Sequence, residues 1–122
     1  MRFLLLYRTD RKNVEEGVPP SADEVAGMDK LMEDMGKAGV LLSTEGLQPS
    51  SRGARVRLSR GRITMTNGPF TDAKEIIAGY AVLQVKAMEE AVQWTKRFLD
   101  VAGDGESEIR ELYDASAFGP GT

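Results

Sequence analysis

The sequence contains neither cysteine nor histidine. The first absence excludes disulfides, thiolate nucleophiles and cysteine-held metals. The second removes the side chain that most often acts as a general base near neutral pH and as a zinc ligand. Acid–base chemistry on this chain therefore falls to carboxylates, lysine, tyrosine or a bound cofactor. Long apolar runs are lacking as well. The N-terminal one, Phe3 to Tyr7, is shorter than a secretory h-region and far short of a membrane span. The expectation is a cytoplasmic protein without membrane association. No phosphate loop, dinucleotide fingerprint or calcium-type spacing is present, so no cofactor and no metal site is expected. A net charge of -3 argues against a general affinity for nucleic acid.

What is present fits one domain. The 122 residues are 41% apolar and 29% charged, enough to bury a real core. Phe3 to Tyr7 reads as a strand with apolar residues on both faces, Phe3, Leu5 and Tyr7 on one and Leu4 and Leu6 on the other. A polar loop through Pro19-Pro20 follows. Ser21 and Glu24 form a capping box, and Val25, Met28, Leu31, Met32 and Met35 fall at helical spacing up to Gly39. This predicts a helix over Ala22 to Ala38. A second strand spans Val40 to Pro49.

Ala54, Val56 and Leu58 alternate with Arg55 and Arg57, the pattern of a half-exposed strand. Arg60-Gly61 is a hairpin turn, and Ile63 and Met65 belong to the return strand. Ala78 to Val85 is a further strand, apolar on both faces apart from Gln84. Met88, Ala91, Val92, Thr95, Phe98, Leu99 and Ala102 mark a second helix ended by Gly103, and Ile109 to Tyr113 is a last short strand. The expected core is residues 1–113, with a loose tail over 114–122.

The order, βαβ, a hairpin, then βαβ, predicts an α+β ferredoxin-like fold around one antiparallel sheet. Two helices cover one face of such a sheet, yet two of the strands are apolar on both. A second copy of the chain is the economical cover for the other face, so a homodimer is expected.

The stretch Asn67 to Tyr80, NGPFTDAKEIIAGY, resembles the DGPFAETKE signature of the YCII-related proteins. Gly68, Pro69, Phe70, Lys74 and Glu75 match it, and Asp72 is a conservative replacement. Asn67 stands where the family has Asp, and Thr71 and Ala73 also depart. EGLQP at Glu45 to Pro49 and the EEAVQW that opens the second helix are similar to family stretches too, and the likeness runs from Met1 to about Tyr113. The resemblance implies a dimeric α+β barrel. It also implies an occasional association with extracytoplasmic-function sigma factors, and hence a regulatory role. Some members carry a His–Asp pair proposed as catalytic, which a chain without histidine does not reproduce.

Residue chemistry supplies the candidate site. Asn67-Gly68 suits a tight turn, and Pro69 then aims Phe70 at the core or at a pocket wall. Asp72, Lys74 and Glu75 put carboxylates and an ammonium beside it, a set able to hold a polar ligand or simply to face solvent. Strand parity places Glu45 on the face of Leu41, Ser43 and Leu47, where a carboxylate must be bonded, paired or functional. Tyr7 and Tyr80 offer apolar rings with polar tips to the same cavity. Three readings stay open: a homodimeric binder of a small polar or aromatic molecule through Tyr7, Asn67, Phe70, Asp72, Glu75 and Tyr80; an enzyme with Glu45 as proton acceptor and Lys74 stabilising negative charge; and an interaction module for a transcription factor. The arginines at 52, 55, 57, 60 and 62 are read as a solvated strand face that discourages edge pairing, not as a nucleic-acid grip.

Overall fold

Phe3 and Leu83, both fully buried, meet at the centre of the sheet, and the fold is arranged around that contact. The computed structural model describes residues 1–9, 12–70 and 76–118. Strand β1, Arg2–Arg8, alternates strictly between buried and half-buried positions. It lies between β5 (Ile77–Gln84) and β6 (Glu106–Glu111), antiparallel to both, and β2 (Leu41–Gly46) forms the far edge beyond β5. The order β2-β5-β1-β6 is that of a ferredoxin-like α+β sheet. Leu5 stands opposite Ala81 and Ile109, and Leu6 stands opposite Tyr80 and Glu108. The register thus defines two faces, one with Phe3, Leu5 and Tyr7, the other with Leu4, Leu6, Tyr80 and Val82.

Both long helices lie on the first face. Helix α2, Ala22–Ala38, opens with the Ser21 hydroxyl accepting from the Glu24 N–H at 3.1 Å. It ends at Gly39, whose φ of 69° is the left-handed geometry that glycine adopts without steric cost. Its Leu31 and Met35 pack on Phe3, Leu5, Val40 and Leu83. Helix α3, Met88–Ala102, adds Ala91, and the Glu90 carboxylate reaches back to the Lys86 N–H at 3.0 Å to satisfy a free donor at its start. Each large apolar side chain buried here contributes about 1.5–3 kcal/mol relative to leaving it in water. Asp34 of α2 ties the helices together by accepting from Arg97 of α3 and from Lys30 one turn back.

Four features differ from the sequence reading. The loop after β1 contains a single helical turn, α1 at Lys12–Glu15. The second strand ends at Gly46 and carries a bulge: Leu41 pairs with Leu83 while Ser43 pairs with Val82, so Leu42 is an extra residue. The last strand starts at Glu106, three residues before the expected Ile109, because main-chain pairing with β1 begins at Arg8 whatever the side chains of Glu106 and Ser107 prefer. A 3₁₀ turn at Ala115–Phe118 occupies part of the stretch expected to be loose.

The hairpin of β3 (Ala54–Ser59) and β4 (Arg62–Asn67) forms a separate two-stranded sheet. Its turn is as expected, with φ of 52° at Arg60 and 77° at Gly61. Its apolar side is not half-covered: Val56, Leu58, Ile63 and Met65 are 65–70% exposed. No helix among the described residues is long and apolar enough to cross a membrane.

Hydrogen bonds from Arg97 and then Lys30 hold the Asp34 carboxyl below its ordinary range. A lowered folded-state value means stability that is present above the unfolded value and is lost as pH falls through the folded one. Asp34→Asn is therefore expected to be less stable than the wild type at neutral pH, with the gap closing in acid. Urea midpoints measured across a pH series check this; a gap independent of pH contradicts it.

Candidate functional site

Between the helix-covered face of the sheet and the N-terminal half of α2 lies a cavity of about 900 Å³. Leu5, Tyr7 and Ala81 contribute from the sheet, Met28 and Met32 from α2, and Phe98 from α3; the chain from Asn13 to Ser21 borders it. The helical stripe read from the sequence serves both core and cavity here. Leu31 and Met35 are buried in the core and also border the cavity, and Met28 and Met32 complete its α2 wall. Methionine suits such a wall because its unbranched thioether adapts to irregular shapes and makes favourable contacts with aromatic rings.

Tyr7 lines this cavity as expected, but its hydroxyl is engaged elsewhere. It donates toward the backbone carbonyls of Gly103 and Asp104, at 3.2 and 3.1 Å, and its ring stands edge-on to Phe98 with centroids 5.0 Å apart. Tyr7 therefore offers the cavity an aromatic surface. The Thr44 hydroxyl is likewise occupied, donating to the Tyr80 carbonyl at 2.9 Å.

Glu45 and Tyr80 border the cavity through their strands, but the bulge at Leu42 changes where their side chains go. Parity from Leu41 put Glu45 on the face of Leu41; the extra residue reverses this. Leu41 and Thr44 share the helix-covered face with Leu83 and Ala81, whereas Ser43 and Glu45 share the open face with Val82 and Tyr80. The contact of 3.5 Å between the Ser43 and Tyr80 hydroxyls agrees with that register. Glu45 is exposed and makes no side-chain hydrogen bond or ion pair with a described residue, so of the three expectations for this carboxylate, bonded, paired or functional, the described residues supply no partner for the first two.

A second, smaller cavity of about 350 Å³ is bordered by Glu15, Ser50, Phe70 and Ile76. Its polar wall is a relay that sequence reasoning missed. The Glu15 carboxylate accepts from both the backbone N–H and the hydroxyl of Ser50, and the Ser50 oxygen accepts from the Phe70 N–H at 2.9 Å. Three segments far apart in sequence are joined here, and nothing in the local pattern of a polar loop or of Ser50-Ser51 signals the partnership. Phe70 is half-buried and carries the Arg55 guanidinium 3.7 Å above its ring.

Asn67 and Gly68 do not form the expected positive-φ turn. Asn67 pairs with Ala54 at the end of β4, the Gly68–Pro69 bond is cis, and neither Asn67 nor Gly68 has positive φ. Glycine is required at position 68 for a different reason: a Cβ there would sit 1.7 Å from the Ser50 carbonyl oxygen. Asp72, Lys74 and Glu75 lie outside the described residues. The candidates thus fall in three places: Tyr7 inside the large cavity, Glu45 and Tyr80 on the open face, and Phe70 with Asn67 nearby at the small cavity. Among the described residues no cluster of three acidic side chains could hold a metal ion.

The sequence model of the YCII-related domain matches residues 1–116. This chain belongs to the YCII-related family. No curated protein matches it. Among solved structures, this YCII-related chain is similar to the 5-chloro-2-hydroxyhydroquinone dehydrochlorinase of Burkholderia phenoliruptrix, solved with 2,5-dihydroxybenzoquinone. The two share 11% identity and a TM-score of 0.49, over 98% of this chain and 99% of that one. A likeness at that level says nothing about activity.

The relay around Ser50 makes a stability prediction for this YCII-related domain. Ser50→Ala deprives the Phe70 N–H of its acceptor and leaves the Glu15 carboxylate with one donor fewer. It is expected to cost about 1–3 kcal/mol in urea unfolding, with Glu15→Ala giving a similar loss and the double variant little more than either. Fully additive losses contradict a shared network.

Proposed function

We propose that this protein binds a small molecule with an aromatic or apolar body in the cavity between α2 and the sheet, and that it works as a homodimer. The single observation that carries the first part is the cavity itself. At about 900 Å³, walled by Leu5, Tyr7, Met28, Met32 and Phe98, it has the size and lining of small-molecule sites. Had helices and sheet met without a gap, the interaction-module reading would have been favoured. Polar groups sit at the border, Ser21 and Glu24 at the start of α2 and Gln48 beyond β2, where they suit the polar end of a ligand whose ring lies among the methionines. Membership of the YCII-related family fits a small-molecule role.

The homodimer is supported by the open face of the sheet. Leu4, Leu6, Tyr80 and Val82 form its half-buried apolar centre, which neither α2 nor α3 covers, and Ser43, Glu45, Glu108 and Arg110 lie around it; an apolar centre with a polar rim marks an interaction surface. A regulatory association with a sigma factor is carried by the family resemblance alone.

A second reading keeps acid–base catalysis but moves it to the open face of the sheet. Glu45 lies there beside Tyr80, exposed and with no side-chain partner among the described residues, and a chain without histidine leaves carboxylates and lysine as the available groups. In that reading Glu45 accepts the proton and Lys74 stabilises the developing negative charge. Retention of full turnover by Glu45→Gln rejects the assignment.

The binding reading predicts that a thermal-shift screen of ring-containing metabolites finds hits whose affinity depends on the methionine wall. Met32→Trp, which fills the cavity from α2, is expected to weaken those hits at least about tenfold while the unliganded melting temperature moves by only a few degrees. Hits that bind Met32→Trp as tightly as the wild type place the site elsewhere.

A further inference from the structure

The cavity between α2 and the sheet has a charge pattern that an aromatic or apolar occupant does not by itself require. Among the described residues that border it there is no lysine and no arginine. Two carboxylate residues do border it, Glu24 and Glu45, and Glu45 turns its side chain to the open face of the sheet. Glu24 is thus the formal charge that the described wall presents at the mouth. It is half-buried and stands one turn before Met28 and two before Met32, so the three share one face of α2.

The hydroxyls deeper in the wall favour the same kind of ligand. Tyr7 donates toward the Gly103 and Asp104 carbonyls at 3.2 and 3.1 Å, and Thr44 donates to the Tyr80 carbonyl at 2.9 Å. Each has its donor engaged and keeps lone pairs, so toward a ligand each can only accept. The start of α2, where a helix dipole would otherwise attract an anion, is already answered. The Ser21 hydroxyl takes the Glu24 N–H at 3.1 Å, and Asp23 and Glu24 set two negative charges in the first turn. A carboxylate entering this cavity would shed its water with no cation to replace it, which is costly. A neutral donor meets acceptors instead, and an ammonium left at the mouth keeps part of its hydration and gains the attraction of Glu24. A carboxylate accepts several donors at once, so helix capping and an ammonium are compatible there.

We propose that the cavity takes a ring-bearing amine, with the ring among Met28, Met32 and Phe98 and the ammonium beside Glu24, and that it rejects the corresponding acid. This class of ligand belongs to the site proposed above and rests on it. Glu24 is the residue that sets the preference.

Calorimetric titration of the full chain with three probes of one ring and one linker tests it: tryptamine, which is cationic, tryptophol, which is neutral, and indole-3-propionate, which is anionic. Tryptamine is expected to bind at least about threefold more tightly than tryptophol, and indole-3-propionate at least about tenfold more weakly than tryptophol. Glutamine serves the capping position as well as glutamate does, so Glu24→Gln is expected to stay folded. It is expected to bring the ratio of tryptamine to tryptophol affinity to about one, and added salt to lower the same ratio in the wild type. Indole-3-propionate binding as tightly as tryptamine overturns the proposal, as does a tryptamine preference that Glu24→Gln leaves intact. In either case, tryptophol binding that Met32→Trp still weakens keeps the cavity as the site. Failure of all three probes to bind at millimolar concentration overturns the amine assignment, while the wider screen on Met32→Trp decides the cavity itself.

Discussion

Strand β1 needs dry surroundings on both of its faces, and the chain has helices for one. Everything else in the structure follows from that imbalance. Phe3, Leu5 and Tyr7 are buried beneath α2 and α3, while Leu4 and Leu6 point to the side that neither of these helices covers. Leaving such side chains wet forgoes about 1.5–3 kcal/mol for each one that could be fully buried, a large amount against the marginal stability of a small domain. The proposed homodimer is the way this imbalance is met, with the exposed hairpin stripe as a second apolar surface of the same kind.

The helix-covered side shows the opposite condition, a space not quite filled. The two helices are held together by Leu31, Met35 and Ala91 over the centre of the sheet and by the Asp34–Arg97 link outside it. Toward the start of α2 this packing opens into the cavity of Met28, Met32 and Phe98. The small cavity beyond is built differently. There the Glu15–Ser50–Phe70 relay, and the close approach of Gly68 to Ser50, pin the base of the hairpin to the turn before it. The segment that carries the family signature is, in its described part, a device for aiming the hairpin.

Much of this was legible in the residues. Helix α2 could be bounded to the residue because Ser21 and Gly39 act locally, through one hydroxyl and one left-handed backbone. The ferredoxin-like order followed from periodicities that tertiary packing reinforces. The face of Glu45 was not legible, since a bulge at Leu42 depends on how β2 meets β5 and leaves no mark in β2 alone. The role of Gly68 was misread because glycine serves both positive φ and close approach, and sequence does not say which. Glu15 and Ser50 were invisible as partners, being 35 positions apart. The alternation in β3 and β4 correctly separated an apolar side from a basic one, but alternation does not reveal what covers the apolar side.

The account turns on whether a second copy takes the open face of the sheet out of water. Sedimentation equilibrium of the wild type and of Leu6→Glu, which places a charge in the middle of that face, tests this most directly. The account predicts a dimeric wild type and a variant that stays folded but associates at least about tenfold more weakly. A wild type that is monomeric throughout the micromolar range, or a variant that dimerises as tightly as the wild type, would contradict it.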